Sequence, residues 1–100
     1  MLLVEQNIGL ENVIHELGYV DLASFAKQQA QEVLWRKIKH CEEKIKEFEL
    51  KYVMTYSEFE EKFHSINTVN VFEKEDDGMI WETEISLKNH YLEMIKKIVE

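Results

Sequence analysis

The stretch FELKYVMTYSEFEEKFH, Phe48 to His64, contains the signals of a corner between two helices. Thr55 and Glu58 have the spacing of a capping box: the Thr55 hydroxyl accepts from the Glu58 amide, and the Glu58 carboxylate reaches back to the amide of Thr55. The pattern therefore predicts a helix that starts at Tyr56 and runs to about Ile66.

Two neighbours of the cap refine this corner. Met54 and Phe59 have the spacing of a hydrophobic staple, which fixes the angle at which the chain enters the new helix. Val53 is β-branched and poorly suited to left-handed backbone, so we expect the chain to leave the preceding helix through extended backbone.

Upstream of the corner, residues 22–52 contain neither glycine nor proline and follow Asp21, a good N-cap residue. Apolar residues recur there at spacings of four and three, which is a heptad pattern. This pattern predicts a long central helix, about 22–52, that pairs with a second copy as a homodimer. Its dimer seam comprises Leu34, Ile38, Cys41, Ile45, Phe48 and Tyr52.

A shorter helix is expected before it. Leu10 to Leu17 carries apolar residues on one helical face, and Gly18 follows where a left-handed cap ends a helix.

The segment TVNVFEKEDDGMIWETEI, Thr68 to Ile85, has two interpretations. One is a hairpin that turns at Asp77 and Gly78. We favour the other, an extended link followed by a helix that begins near Asp76 or Asp77 and continues to the C-terminus, with a short strand near 69–72 left open. The predicted fold is therefore all-α, with three to four helices in a single domain over residues 1–100.

Composition and charge limit the classes of partner and the cellular compartment that we expect for this chain. The formal net charge is −8, and residues 55–84 hold nine acids against two bases. A field of this sign repels phosphate, so we expect a basic partner and no nucleic-acid binding by the chain alone. With one cysteine, no targeting signal and no membrane-spanning run, we expect a cytoplasmic protein that does not bind membranes.

The residues offer no credible catalytic constellation. The four histidines lie in four different segments, and Cys41 falls on the seam, where a thiol is inert. A helical ribonuclease that uses Arg36 and His40 is a remote third hypothesis, because their spacing is one residue too short for the R-x4-6-H pattern of the HEPN ribonucleases. We expect no enzyme, no cofactor and no metal site.

The segment of residues 72–84 combines acids with aromatic residues. Its acids could be a solvated surface and its tryptophan a core residue, but together they also suit a basic protein surface, where charge steers association and buried aromatic rings supply affinity. In that hypothesis Phe72 and Trp81 are anchors. The carboxylates that pair with lysines and arginines of the partner are Asp76, Asp77, Glu82 and Glu84.

The runs FELKYVMTYSEFEEKF and DDGMIWETEI resemble small prokaryotic proteins from the antitoxin half of toxin–antitoxin gene pairs. The pattern is roughly F-E-x-K-Y-G-M-S-x-E-E-F-E followed by D-D-x-x-x-W-E. This chain has Val53 where the pattern has glycine, and a longer link between the two motifs. The resemblance covers about a third of the chain. The residues that match the pattern are Phe48, Glu49, Lys51, Tyr52, Met54, Phe59, Glu60, Asp76, Asp77, Trp81 and Glu82.

The resemblance implies a non-enzymatic protein that binds and neutralises a toxin, commonly a ribonuclease. We expect the acidic segment to contact that basic toxin. The alternative is a homo-oligomeric coiled-coil structural or assembly protein, in which the acids only maintain solubility.

Overall fold

The computed structural model describes residues 4–99, with side chains from 8 to 99. Within that range the chain is all-α and contains no strand. The helices are α1 (Val4–Glu16), α2 (Leu22–Tyr52), α3 (Tyr56–Glu61) and α4 (Val71–Val99), with a 3-10 turn at Phe63–Ser65 between α3 and α4. The all-α prediction with one long central helix is confirmed.

The chain divides into two compact units, Met1–Val33 and Leu34–Glu100, and α2 contributes residues to both. The single domain predicted over residues 1–100 stays a prediction.

In the first unit, the turn between α1 and α2 follows the sequence signals. Gly18 has a φ of 97°, and the amide of Tyr19 donates to the carbonyl of Ile14 at 3.1 Å, which is the long bond of a Schellman cap. Asp21 caps α2, since its carboxylate accepts from the Ser24 amide at 2.8 Å. That bond lowers the pKa of the exposed Asp21 carboxyl.

In the second unit, the capping box is present as predicted. The Thr55 hydroxyl accepts from the Glu58 amide at 3.2 Å, and the Thr55 amide donates to the Glu58 carboxylate at 3.1 Å. The helix is shorter than predicted: it ends at Glu61, and the chain tightens into the 3-10 turn before Ile66.

The predicted exit from α2 is wrong. Val53 has a φ of 55°, which is left-handed backbone, and the amide of Met54 donates to the carbonyl of Glu49 at 3.3 Å. The chain therefore closes α2 with the same Schellman bond that Gly18 supports in the first unit. Val53 thus adopts left-handed backbone just before the capping box, against the local preference of valine.

The start of α4 is also earlier than predicted. The Asn70 side chain accepts from the Glu73 amide at 2.8 Å and so caps a helix that begins at Val71. Asp76 and Asp77 consequently lie inside the helix instead of at its first turn. Both the hairpin and the strand near 69–72 are wrong.

The second unit has two apolar clusters between α2, α3 and α4. Leu34, Ile38 and Ile95 form one of them. The other is mainly aromatic and is built on Tyr52, Phe59 and Trp81. The aromatic cluster positions α3 against the first half of α4.

Candidate functional site

The predicted dimer seam lies inside the second unit. Leu34, Ile38, Cys41 and Tyr52 are buried, and Ile45 and Phe48 are half-buried against the aromatic cluster. Residues of α4 cover them, as the 5.5 Å stacking of Phe48 on Trp81 shows. Little of this seam is exposed in one chain, and the homodimer stays a prediction.

Trp81 is a core residue and not an exposed anchor. Its side chain is 0% exposed, and its ring meets those of Phe59 at 5.1 Å and Tyr56 at 5.4 Å. An indole enclosed by aromatic rings stabilises the fold through its buried area and ring contacts. The core interpretation weighed at the sequence level therefore holds, and the partner-anchor prediction for Trp81 is corrected.

Asp77 is engaged within the chain. Its carboxylate accepts from Lys51 Nζ at 2.7 Å and from the Tyr52 hydroxyl at 2.6 Å. Lys51 also bonds the Glu73 carboxylate at 2.6 Å. These bonds join the end of α2 to the start of α4, so Asp77 and Glu73 serve the fold.

The pKa values of this network shift accordingly. Burial, followed by the hydrogen bond to Asp77, raises the pKa of the Tyr52 hydroxyl. Hydrogen bonds to Asp77 and then Glu73 raise the pKa of the Lys51 ammonium. Near neutral pH the phenol is therefore neutral and the lysine charged, as the observed bonds require.

Glu84 also faces inward. It is half-buried, and one of its carboxylate oxygens is buried without a hydrogen-bond partner. Burial first, and then the neighbouring Glu84 carboxylate, raise the pKa of the Cys41 thiol to about 11. The thiol is therefore protonated at neutral pH and a poor nucleophile.

Of the six predicted partner-binding residues, three remain accessible. Phe72 is 76% exposed, and Asp76 and Glu82 are exposed as well. Of these three, only Glu82 lines the groove between α3 and α4.

That groove, which we call the α3–α4 groove, has a volume of about 430 Å³. Aromatic rings and a glycine line its apolar part: Tyr56, Phe59, Phe63 and Gly78. Three carboxylates and a thioether complete its lining: Glu60, Glu75, Glu82 and Met79.

Helical periodicity explains why these residues converge. On α3 and the following turn, Tyr56, Phe59, Glu60 and Phe63 are spaced by three, one and three residues. On α4, Glu75, Gly78, Met79 and Glu82 have the same spacing. Residues at such intervals share one face of a helix, so each element turns one stripe toward the groove.

Gly78 allows the two elements to approach closely. A Cβ atom built on Gly78 would lie 3.1 Å from Cε1 of Phe59, whose side chain is 2% exposed. Glycine therefore lets Phe59 pack directly on the backbone of α4 and keeps the groove open beside it.

The carboxylates act on the groove electrostatically. Burial first, and then the negative charges of Glu60 and Glu82, raise the pKa of the Tyr56 hydroxyl. The two glutamates thus direct their field at the aromatic lining.

Lys74 is a buried cation that the sequence analysis missed. Its side chain is 6% exposed, and its Nζ donates to the Phe63 carbonyl at 2.6 Å and lies 4.4 Å from the Phe63 ring centroid. It ties α4 to the turn after α3. Lys74 is therefore held inside and is not free to pair with the carboxylates on the surface.

An excess of acids remains on the surface of α3 and α4. Five carboxylates are exposed, and among residues 8–99 no lysine, arginine or histidine nitrogen lies within 4.0 Å of them. We call this set the acidic surface: Glu60, Glu61, Glu75, Asp76 and Glu82. Lys62, the other base of residues 55–84, lies 3.8 Å from Glu58.

Other kinds of site have less support in the part of the chain that the structure describes. No group of three or more histidine, cysteine, aspartate or glutamate side chains there could hold a metal ion. None of the described helices combines the length and apolar character needed to cross a membrane.

Glu60, Glu75, Tyr56 and Phe63 were not among the predicted partner-binding residues, although Glu60 belongs to the pattern that resembles antitoxins. The signal was the shared three–one–three spacing, but its use depends on knowing that α4 begins at Val71. Comparison with protein-family models, curated proteins and solved structures gave no match to this chain.

Proposed function

We propose that this chain is a non-enzymatic, antitoxin-like protein of the cytoplasm that binds and neutralises a basic toxin through its acidic surface. The observation that carries the proposal is the set of five exposed carboxylates without a cationic neighbour in the described chain. A solvated acidic surface of this kind attracts a basic protein and raises its association rate.

Three other acids of the second unit have partners within the chain. Glu73 and Asp77 are paired with Lys51, and Glu58 completes the capping box. Removing these acids would change stability. No cation of residues 8–99 lies within 4.0 Å of the acids of the acidic surface, so their charge is available to a partner.

The resemblance to antitoxins supports the direction of the proposal. Several of the residues that carry it serve the architecture: Lys51, Tyr52 and Asp77 form the network between α2 and α4. Glu60 and Glu82 belong to the acidic surface. The same pattern thus combines a scaffold with two surface charges.

The alternative is a homo-oligomeric coiled coil. It needs an apolar seam open to a second copy, whereas Ile38 and Cys41 are each 2% exposed within one chain. The antitoxin-like function is therefore the better supported proposal.

Genetic pairing provides the test. Each reading frame that flanks the gene is expressed alone and together with this chain, and colony formation is counted. We expect one flanking product to stop growth alone and to be tolerated with the chain. The proposal is rejected if no flanking product stops growth, or if the chain fails to restore it.

A further inference from the structure

The α3–α4 groove differs from the rest of the acidic surface because it has an aromatic lining. Tyr56 and Phe63 contribute rings, while Glu60, Glu75 and Glu82 contribute carboxylates. A group of acids that only keeps the protein soluble would not need an aromatic pocket. A pocket for an apolar side chain would not need three glutamates.

Aromatic rings and carboxylates together suit a planar organic cation. A guanidinium group stacks on aromatic faces, is more weakly hydrated than an ammonium, and presents donors in a fork that matches a carboxylate. We propose that the α3–α4 groove receives an arginine side chain of the basic partner; this inference rests on the proposed function and specifies its recognition chemistry.

The charge balance of the groove favours this occupant. Lys74 is the nearby cation on Phe63, but it is buried and bonded to the Phe63 carbonyl. Three carboxylates against one ammonium leave the groove negative. A cationic side chain therefore enters with favourable electrostatics, while a neutral apolar side chain gains only contact with the rings.

The remaining lining atoms fit the aliphatic part of arginine. Met79 is 69% exposed, and Gly78 carries no side chain above Phe59. A flexible thioether and an open backbone surface accommodate a methylene stem, which arginine packs along apolar surface while its charged end stays near the carboxylates.

A nuclear magnetic resonance titration tests the inference without knowledge of the partner. The probes are three blocked tripeptides: acetyl-Gly-Arg-Gly-amide and its analogues with citrulline or lysine at the centre. Citrulline keeps the shape of arginine and removes the charge. The reporter is the backbone amide of Gly78, whose signal falls in the separate glycine region, with Gly9 and Gly18 of the first unit as internal references.

We expect the arginine peptide to shift the Gly78 amide with a dissociation constant on the order of millimolar, as suits one side chain on an exposed site. The lysine peptide binds more weakly, and the citrulline peptide gives no saturable shift. Equal shifts with arginine and citrulline, or no saturable shift with arginine, would overturn the proposal.

Matched variants separate the groove from general charge. The groove variant carries Glu60→Gln, Glu75→Gln and Glu82→Gln. The control variant carries Glu11→Gln, Glu43→Gln and Glu49→Gln, which remove the same charge from exposed residues outside the groove and outside the acidic surface.

We expect the groove variant to bind the arginine peptide roughly tenfold more weakly, and the control variant to lose only the small effect of net charge. Far-UV circular dichroism verifies that both are folded. Equal losses in the two variants would refute a specific site.

The growth assay distinguishes failure of this inference from failure of the proposed function. If the chain neutralises a flanking toxin but the arginine peptide does not shift the Gly78 amide signal, the partner uses another part of the acidic surface. The groove proposal alone is then wrong. If no flanking toxin exists, the proposed function is wrong, and the titration then reports a cation site of the isolated chain only.

Discussion

Replacement of Val53 by glycine should stabilise the second unit. Val53 has a φ of 55°, and left-handed backbone costs a residue with a Cβ about 1–2 kcal/mol. Glycine removes this strain, but it raises the entropy of the unfolded chain, which costs about 0.4–1 kcal/mol. The Val53 side chain is 85% exposed, so its removal sacrifices little buried area.

The balance is a gain of about 0.5–1 kcal/mol in the free energy of unfolding. For a domain of this size, that gain corresponds to a rise of roughly 2–8 °C in the melting temperature. Urea and thermal unfolding, both followed by far-UV circular dichroism, measure the two quantities.

Two further variants isolate the cause. Val53→Ala keeps a Cβ in left-handed backbone, so we expect it to recover less than half of the glycine effect. Val71→Gly changes another exposed valine of the same unit at ordinary backbone angles, and it should destabilise. A destabilised Val53→Gly protein, or equal gains from Val53→Gly and Val53→Ala, would refute the strain argument.

Two other substitutions and a rise in pH test the packing and hydrogen bonds of the core. Tyr52→Phe should lower the free energy of unfolding by about 1.5–3 kcal/mol, because Asp77 loses a hydrogen bond to its charged carboxylate. Gly78→Ala should not raise the free energy of unfolding by the roughly 1 kcal/mol that alanine usually gains over glycine inside a helix, because its Cβ meets Phe59 at 3.1 Å. Stability should fall above about pH 9, because burial raises the pKa of Cys41 from 9.0 to about 11 and that of Tyr52 from 10.0, so the folded state holds both protons more tightly.

Each has its own control and contrary result. Tyr91→Phe removes the hydroxyl of a half-buried tyrosine and should lower the free energy of unfolding less than Tyr52→Phe does. Equal losses would show that the bond to Asp77 adds no particular stability. Gly9 lies in α1 with nothing near its Cβ position, so Gly9→Ala should show the gain that Gly78→Ala lacks. A urea midpoint that stays constant up to about pH 11 would contradict the alkaline prediction.

Local signals predicted much of this fold. The capping box of Thr55 and Glu58, the Asp21 cap and the left-handed Gly18 all appear as expected, because each depends on a few consecutive residues. The length of α2 followed from a run without breakers.

Tertiary contacts decided what the sequence could not. Val53 adopts backbone that its side chain disfavours, and the α2 seam packs against α4 within the chain. A heptad pattern indicates that a face is apolar, but it does not identify the helix that covers it.

The sequence predicted that the candidate site is acidic, but it did not predict which residues lie together there. The acidic segment was evident, yet Trp81 and Asp77 proved to be structural, and Glu60 and Glu75 joined the groove from two elements. Starting α4 at Asp76 instead of Val71 hid the shared face of Glu75 and Glu82, because Glu75 then lay outside the helix.

The most direct test of the central claim is the association rate between this chain and the basic protein that it neutralises in the growth assay, measured over a range of salt concentrations. We expect the rate to fall steeply with salt for the wild type, because charges steer the encounter. The groove variant with glutamines at 60, 75 and 82 should associate more slowly and depend less on salt. A rate that is independent of salt, or unchanged in this variant, would contradict recognition through the acidic surface.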